Sequence, residues 1–384
     1  MTAVADPPTA VVDSAVAVDL PGSRSNPLHP ADPVDLHLHT YASDGAWSPT
    51  ELVDHLAEGG FKVVAVCDHD TQRSVLEVTR LAAERGIRVV PGVEMTVGWN
   101  KRQLHLLVYG ISPDRTDLAA QAFLECTRDI DRMLIEMAED ARRRFEADDK
   151  PIPDVHELHG DRPMWPFHVL TAAIKAGHVK SLYHSARHLE KLGGQFSAEL
   201  PIERVVDAAH QAGGICVIAH PGRADAVGIL TEPDLDRLLA TVPIDGLEAH
   251  YRSYTDRQTE FYRALAANRS LLVSCGSDSH APRQPVDPRP WPAAWCADLL
   301  RRLGVAVTPA PSGVAAWAPG QDPMAALPRT ATDVAADAAR AAAEAAKAAA
   351  EAAQKAAEIA TAAATSMMDA IKRFEESRSR RDGE

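Results

Sequence analysis

Short apolar runs that end in a histidine or a carboxylate recur along this chain, and any fold it adopts has to bring those ends somewhere. The runs are Val34-Asp35-Leu36-His37-Leu38-His39, Val63 to Val66 followed by Cys67-Asp68-His69, Val89 to Glu94, Leu104-His105-Leu106-Leu107-Val108, Ile215 to His220, and Leu271 to Ser274 followed by Gly276-Ser277-Asp278-Ser279-His280. Runs of this length, rich in Val and Ile and closed by Gly or Pro, suit strands buried on both faces. Amphipathic stretches separate them. Ser48 with Glu51 three residues on has capping-box spacing, ahead of Leu52, Val53 and Leu56. Leu76 to Glu84 and Val205 to Gln211 also read as helices, the second stopped by Gly213-Gly214.

Strand and helix in alternation predict a βα barrel or an open α/β sheet. A barrel of parallel strands collects the strand C-termini on one face, so residues distant in sequence converge there. Such a face would gather His37, His39, His69, Glu94, His105, His220, Asp278 and His280.

Those residue types fit metal binding. His37 and His39 are two apart, so on a strand both side chains point to one face and can hold one ion. Asp44 follows in a Ser-Asp-Gly turn. Imidazoles and carboxylates without paired thiolates suit Zn, Mn or Fe rather than a soft metal. The set exceeds the need of one tetrahedral ion, so two or three ions are expected, with Glu94 bridging two of them. A lone strand histidine such as His105 is ordinarily a core or surface residue; repetition at successive strand ends is what changes that reading. The other histidines, including His29, His55, His156, His159, His178, His184, His188 and His210, are read as structural.

Taken in order, Asp35-Leu36-His37-Leu38-His39-Thr40, Ser43-Asp44-Gly45, Asp68-His69-Asp70-Thr71, Gly92-Val93-Glu94, His105, Ala219-His220-Pro221-Gly222-Arg223 and Gly276-Ser277-Asp278-Ser279-His280 resemble the polymerase and histidinol phosphatase (PHP) family over roughly residues 33 to 306. The resemblance implies a distorted seven-stranded TIM-like (βα)7 barrel carrying a two- or three-metal phosphoesterase centre. It distributes the ligands as His37, His39, Glu94 and Asp278 on one ion, Glu94, His105 and His220 on a second, and Asp44, His69 and His280 on a third. Clustered divalent ions would polarise phosphoryl oxygens and bring a bridging water near its deprotonation point at neutral pH, so no Ser or Cys nucleophile is required. Ser43, Ser277 and Ser279 are then turn residues, and Cys67 and Cys275 small buried groups. Asp68 and Asp70 are candidates to orient imidazoles, with helix capping an alternative for Asp70. Glu94, Asp278 and His280 are the catalytic candidates, the last two as proton donors to the leaving oxygen, a role with which coordination competes.

Between His105 and Gly213 the barrel pattern stops. Leu118 to Phe145 has helical periodicity and His168 to Gly177 is a shorter candidate, which together predict an inserted helical subdomain. Within it Arg162-Pro163 and His168 resemble the bisphosphonucleotide phosphatase and exoribonuclease branch of the family. With Arg223, and more weakly Lys180, they are candidates to hold a second phosphate or carboxylate. Two departures stand out. Met164-Trp165-Pro166-Phe167 interrupts the Arg-Pro…His text, and Gly194-Gln195-Phe196 replaces a Gly-Lys-Pro of that branch, so a probable phosphate contact is lost. Tyr251, Arg252 and Tyr254 are candidates to reshape the pocket, and Glu248 and His250 are possible further site residues.

The 384 residues suffice for a full barrel, an insert and a tail, and the expected divisions are a flexible arm at 1–32, barrel at 33–110, helical insertion at 111–213, barrel at 214–307, linker at 308–330, an alanine-rich helix at 331–376 and a flexible tail at 377–384. Alanine has the highest helix propensity, and Glu351 with Lys355 forms a favourable pair, but no Leu or Ile seam marks a coiled coil. A net charge of −14 and the lack of a basic patch argue against a stable nucleic-acid complex. Five scattered cysteines indicate a reducing compartment, and with neither a signal peptide nor a membrane-spanning run the expected location is cytoplasmic. The expected activity is hydrolysis of phosphate esters, favouring monoesters of small phosphorylated metabolites such as 3′,5′-bisphosphonucleotides, with Mn²⁺ favoured over Fe²⁺ or Zn²⁺. The alternatives are a phosphodiesterase or 5′-3′ exonuclease on short RNA or cyclic phosphates, and a non-catalytic metal-binding regulatory barrel.

Overall fold

A computed structural model of the protein describes residues 27–223, 229–309 and 316–323. The alanine-rich segment, the terminal tail and most of the arm lie outside the described residues. In chain order the strands are β1 (Pro33–Leu38), β2 (Val63–Val66), β3 (Arg88–Trp99), β4 (Arg102–Tyr109), β5 (Leu200–Pro201), β6 (Ile215–Ile218), β7 (Gly246–Tyr251), β8 (Leu272–Gly276) and β9 (Trp291–Pro292). The helices are α1 (Pro49–Glu58), α2 (Val75–Glu84), α3 (Leu118–Ala147), α4 (Val155–His159), α5 (Pro166–Lys175), α6 (Leu182–Lys191), α7 (Ile202–Gln211), α8 (Glu232–Leu239), α9 (Asp256–Asn268) and α10 (Ala297–Arg302).

The strands lie in the order β8-β7-β6-β4-β3-β2-β1-β9, with β5 added beside β3. A bridge between Leu38 and Ser279 brings the ends of β1 and β8 together, so the sheet nearly closes into a barrel. Leu36, Val90, Leu107, Tyr109, Val217 and Cys275 meet in one apolar cluster, which only the inside of a closing sheet can collect from so many strands. Trp291, Trp295 and Leu299 extend that cluster. Burying a side chain of this size contributes roughly 1.5–3 kcal/mol, so the interior is also a large part of what holds the strands in register.

One strand departs from expectation. β4 runs antiparallel to both β3 and β6. His105 therefore reaches the site from the beginning of its strand, opposite Thr96, and not from a strand end.

Local signals act where the sequence places them. Ser48 caps α1 with Glu51 in a reciprocal capping box. α7 ends at Gly213, whose φ of +79° is open to glycine without a Cβ penalty. α5 starts at Pro166, where a missing N–H costs nothing. α3 packs on α7, and its Phe123, Leu124 and Ile130 join the apolar cluster that also takes in residues of β3 and β4. Its second half forms a separate cluster with α4 to α6 around Phe145, Val169 and Leu189. Part of the expected linker is packed rather than free. Trp317 rests on the barrel cluster, and the Gly320 N–H donates to Asp256 at 2.7 Å. Among the described residues no helix is long and apolar enough to cross a membrane.

Candidate metal centre

β1 presents His37 and His39, both fully buried, toward the same point. His37 Nε2 lies 3.1 Å from His39 Nε2 and 3.0 Å from Glu94 Oε2; His39 Nε2 lies 3.2 Å from Glu94 Oε2 and 3.0 Å from Asp278 Oδ1. Glu94 is the hub. Its Oε2 also faces His69 Nδ1 at 3.3 Å, while Oε1 faces His105 Nδ1 at 3.0 Å and His220 Nε2 at 2.9 Å. A third group forms at the rim, where Asp44 Oδ1 lies 3.4 Å from His280 Nε2 and 4.0 Å from His39 Nδ1, with His69 alongside. His280 stacks on His39 with ring centroids 4.0 Å apart. All nine residues expected as ligands thus meet in one place, and His39 and His69 each stand in two of the groups.

The donor set fits divalent ions. Two imidazole nitrogens facing each other at 3.1 Å share at most one proton, and His39 Nδ1, His105 Nδ1, His220 Nδ1 and Asp278 Oδ1 are buried without a hydrogen-bond partner. At the roughly 2.0–2.2 Å bonds of imidazole and carboxylate to zinc-like ions, neighbouring ligand atoms stand about 3.3–3.5 Å apart, close to these separations. Electrostatics point the same way. Burial alone would push Glu94 up, but His37, His69 and His105 hold it well below the usual carboxylate range. Burial works against a proton on His37, yet Glu94, Glu248 and Asp278 together hold its imidazole well above the ordinary value. Burial dominates at His69, lowered to about 3, while Asp44 and Asp278 overcome it at His280, raised to about 9.

Partners behind the ligands fix their orientation. Glu248 Oε1 faces His37 Nδ1 at 3.0 Å, which turns Nε2 toward Glu94, and its Oε2 accepts the His220 N–H at 2.7 Å. A Cβ at Gly276 would overlap both His37 and Glu248, so glycine is required for this approach. Asp35 accepts backbone N–H groups from His37, Ser277 and Arg289, and burial raises it to about 7. Asp278 sits at a φ of +53°, held by the Tyr251 hydroxyl at 2.8 Å, Arg223 at 3.2 Å and the Arg252 guanidinium, all on Oδ2.

Several expectations are revised. Asp68 and Asp70 bind no imidazole: Asp68 accepts from Thr40, Ser43 and Ser74, and Asp70 from the N–H and hydroxyl of Thr96, each at 2.7 Å. Both carboxylates pin the loops that carry Asp44 and His69, which short hydroxyl side chains do better than imidazoles. Nor does Asp70 cap α2, whose N-cap is Ser74. His250 faces away from the centre, between Trp291, Trp295 and Arg263, because an irregularity in β7 after Glu248 breaks the alternation. Arg162 donates to the Tyr41 carbonyl and lies over its ring, in the loop leading to Asp44. His168 is buried; its Nδ1 accepts the Trp165 N–H at 3.0 Å and its Nε2 has no partner. Lys180 is exposed in the turn before α6 and takes part in none of the described contacts of the centre. Arg252 was legible only as a pocket residue; nothing in the spacing marks it as the clamp on Asp278.

A barrel of this form with clustered imidazoles and carboxylates at its mouth defines a candidate divalent-metal centre. The PHP domain model matches residues 35–114. Over 263 residues the chain is 30% identical to a 3′,5′-nucleoside bisphosphate phosphatase of Chromobacterium violaceum, covering 65% of this chain and 87% of that one. A 5′-3′ exoribonuclease of Haemophilus influenzae is 29% identical over 257 residues, 65% of this chain and 90% of its own. The crystal structure of a Bifidobacterium adolescentis protein assigned as a metal-dependent phosphoesterase superposes with a TM-score of 0.56 at 26% identity, covering 66% of this chain and 89% of that one. The protein belongs to the PHP family.

Proposed function

We propose that the protein is a phosphatase that removes phosphate from small phosphorylated metabolites, nucleotides foremost, using two Mn²⁺ ions held around Glu94. The observation that carries this reading is Glu94 itself, a fully buried carboxylate whose two oxygens face five imidazoles from four separate segments. His37, His39, Glu94 and Asp278 would hold one ion, and Glu94, His105 and His220 the other. Bound there, divalent ions supply Lewis acidity toward the phosphoryl oxygens and toward an attacking water. Asp278, clamped by Tyr251, Arg223 and Arg252, stays ionised and serves as ligand and not as acid. His280, paired with Asp44 and Asp278 at 3.4 Å each, is the group we assign to protonate the leaving oxygen; a third ion on Asp44, His69 and His280 would displace that role. Arg223, on Asp278, and Arg162, on the carbonyls of Tyr41, Leu158 and His159, are the groups we assign to a second anionic group of the substrate, together with His168.

The exoribonuclease relative favours a second reading, hydrolysis of a phosphodiester at an RNA 5′ end. Both readings fit a cytoplasmic enzyme, since all five cysteines are buried and unpaired. A phosphate-release screen with Mn²⁺ against mononucleotides, bisphosphonucleotides, sugar phosphates and short RNA separates them. Free phosphate from nucleotides is expected; shortening of RNA without it would replace the phosphatase reading. Glu94→Gln should lose metal by elemental analysis and lower turnover by at least ~10²-fold. Full metal occupancy and full turnover in that variant would remove Glu94 from the centre.

A further inference from the structure

Beside the metal centre lies a cleft of about 250 Å³ whose two sides differ in chemistry. One side is formed by Asp44, His69 and His105, the other by Trp165, Phe167 and Phe196. Resting on the phosphoesterase reading above, we propose that this cleft seats an aromatic ring of the substrate, a nucleobase joined through its sugar to the scissile phosphate, and that Phe196 sets the preference for it.

Four observations support the assignment. Among the described residues no lysine or arginine lines the cleft, so apart from the metal-ligand candidates at one end nothing in it pairs with an anion, and an uncharged group fits. The aromatic wall is fixed in place: the Trp165 indole N–H donates to Asp131 at 2.8 Å, and the Arg73 guanidinium lies 5.5 Å over the ring. Phe196 is 36% exposed at the edge of the cleft, apolar area that a stacked ring would cover. The polar side chains along the cleft, Gln103, Ser197 and Thr96, are uncharged and held by hydrogen bonds, Gln103 on Ser197 and Thr96 on Asp70. The volume lies below the range typical of larger ligands and suits one ring system. A sugar phosphate lacking the base would leave this wall wet. A larger cavity of about 520 Å³, beside Arg263 and Trp295, contains none of the ligand histidines and has no such link to the chemistry.

The test is calorimetric binding of adenosine 5′-monophosphate and of ribose 5-phosphate to the Mn²⁺-loaded full chain. The nucleotide should bind at least about tenfold more tightly, as one base stacked on an aromatic side chain allows. Phe196→Ala should bring the two affinities near parity, and Phe196→Trp should restore the difference. Phe196 is exposed, so neither change touches the core; Phe167→Ala gives a second, independent loss of preference. Equal affinities in the wild type, no measurable nucleotide binding, or a preference intact in both alanine variants would overturn the proposal. Phosphate release from the same preparations keeps the two readings apart. Base preference without hydrolysis of any ester would sink the phosphatase and leave the cleft standing, and hydrolysis without base preference would do the reverse.

Discussion

Asp278 shows how a candidate ligand is oriented by residues outside the candidate ligand set. Tyr251, Arg223 and Arg252 all bind its Oδ2, leaving Oδ1 turned to His39. Arg252 also donates to the carbonyls of Ser277 at 3.1 Å and Asp278 at 2.9 Å, and its side chain is only 11% exposed. It therefore fixes both the carboxylate and the left-handed turn beneath it. Arg252→Gln should destabilise the metal-free protein by about 3 kcal/mol, the scale of breaking a buried ion pair, and weaken Mn²⁺ binding. Arg223→Gln, at a side chain 34% exposed, should cost less stability. Denaturant midpoints and metal titrations compare the two, and unchanged stability and metal affinity in the Arg252 variant would refute the clamp.

Between elements, the contact of α7 with the turn before β7 is sensitive to pH. His210 in the last turn of α7 faces Asp245 at 2.8 Å, and the same carboxylate oxygen accepts the Cys216 N–H. The hydrogen bond to Asp245 raises the His210 pKa against the effect of burial. Its contribution is complete below the ordinary histidine value of about 6.5 and is lost as pH rises through the raised one. Both side chains are partly exposed, so His210→Gln should cost about 1 kcal/mol near pH 5.5 and little near pH 9. Thermal unfolding at the two pH values reads this; an equal loss at both would assign His210 to packing. The elements themselves were mostly legible in the sequence, because Val-rich runs, the Ser48 box and the glycines after α7 each act locally. The direction of β4 was not, since an apolar run reads alike either way. The nine ligand candidates were visible by residue type beside the apolar runs, though not the places of His105 and Glu94 within their strands, whereas Arg252 and the turned-away His250 depend on a turn and an irregularity in β7 that leave no periodic trace.

For the molecule as a whole, every ligand candidate lies between His37 and His280, and the sequence after Ala326 contains no histidine or cysteine. Ending the chain after Ala326 should leave turnover within a few-fold of the full protein, by steady-state assay at equal metal loading. Ending it after Val307 removes Trp317 from the barrel cluster and Gly320 from Asp256, so that shorter chain should melt at lower temperature. Loss of most turnover in the folded, metal-loaded 326-residue form would place part of the catalytic machinery in the tail.

The bridge of Leu38 to Ser279, and the Ser277 N–H donated to Asp35 from 242 positions away, have a consequence for how the chain is made. His37 and His39 leave the ribosome long before Asp278 and His280 exist, and contacts this distant in sequence are slow to form. The centre is therefore completed only when synthesis has passed the last barrel strand. A chain that stops before Asp278 lacks two of the nine candidate ligands, so full metal loading and hydrolysis are expected only of chains that extend past His280.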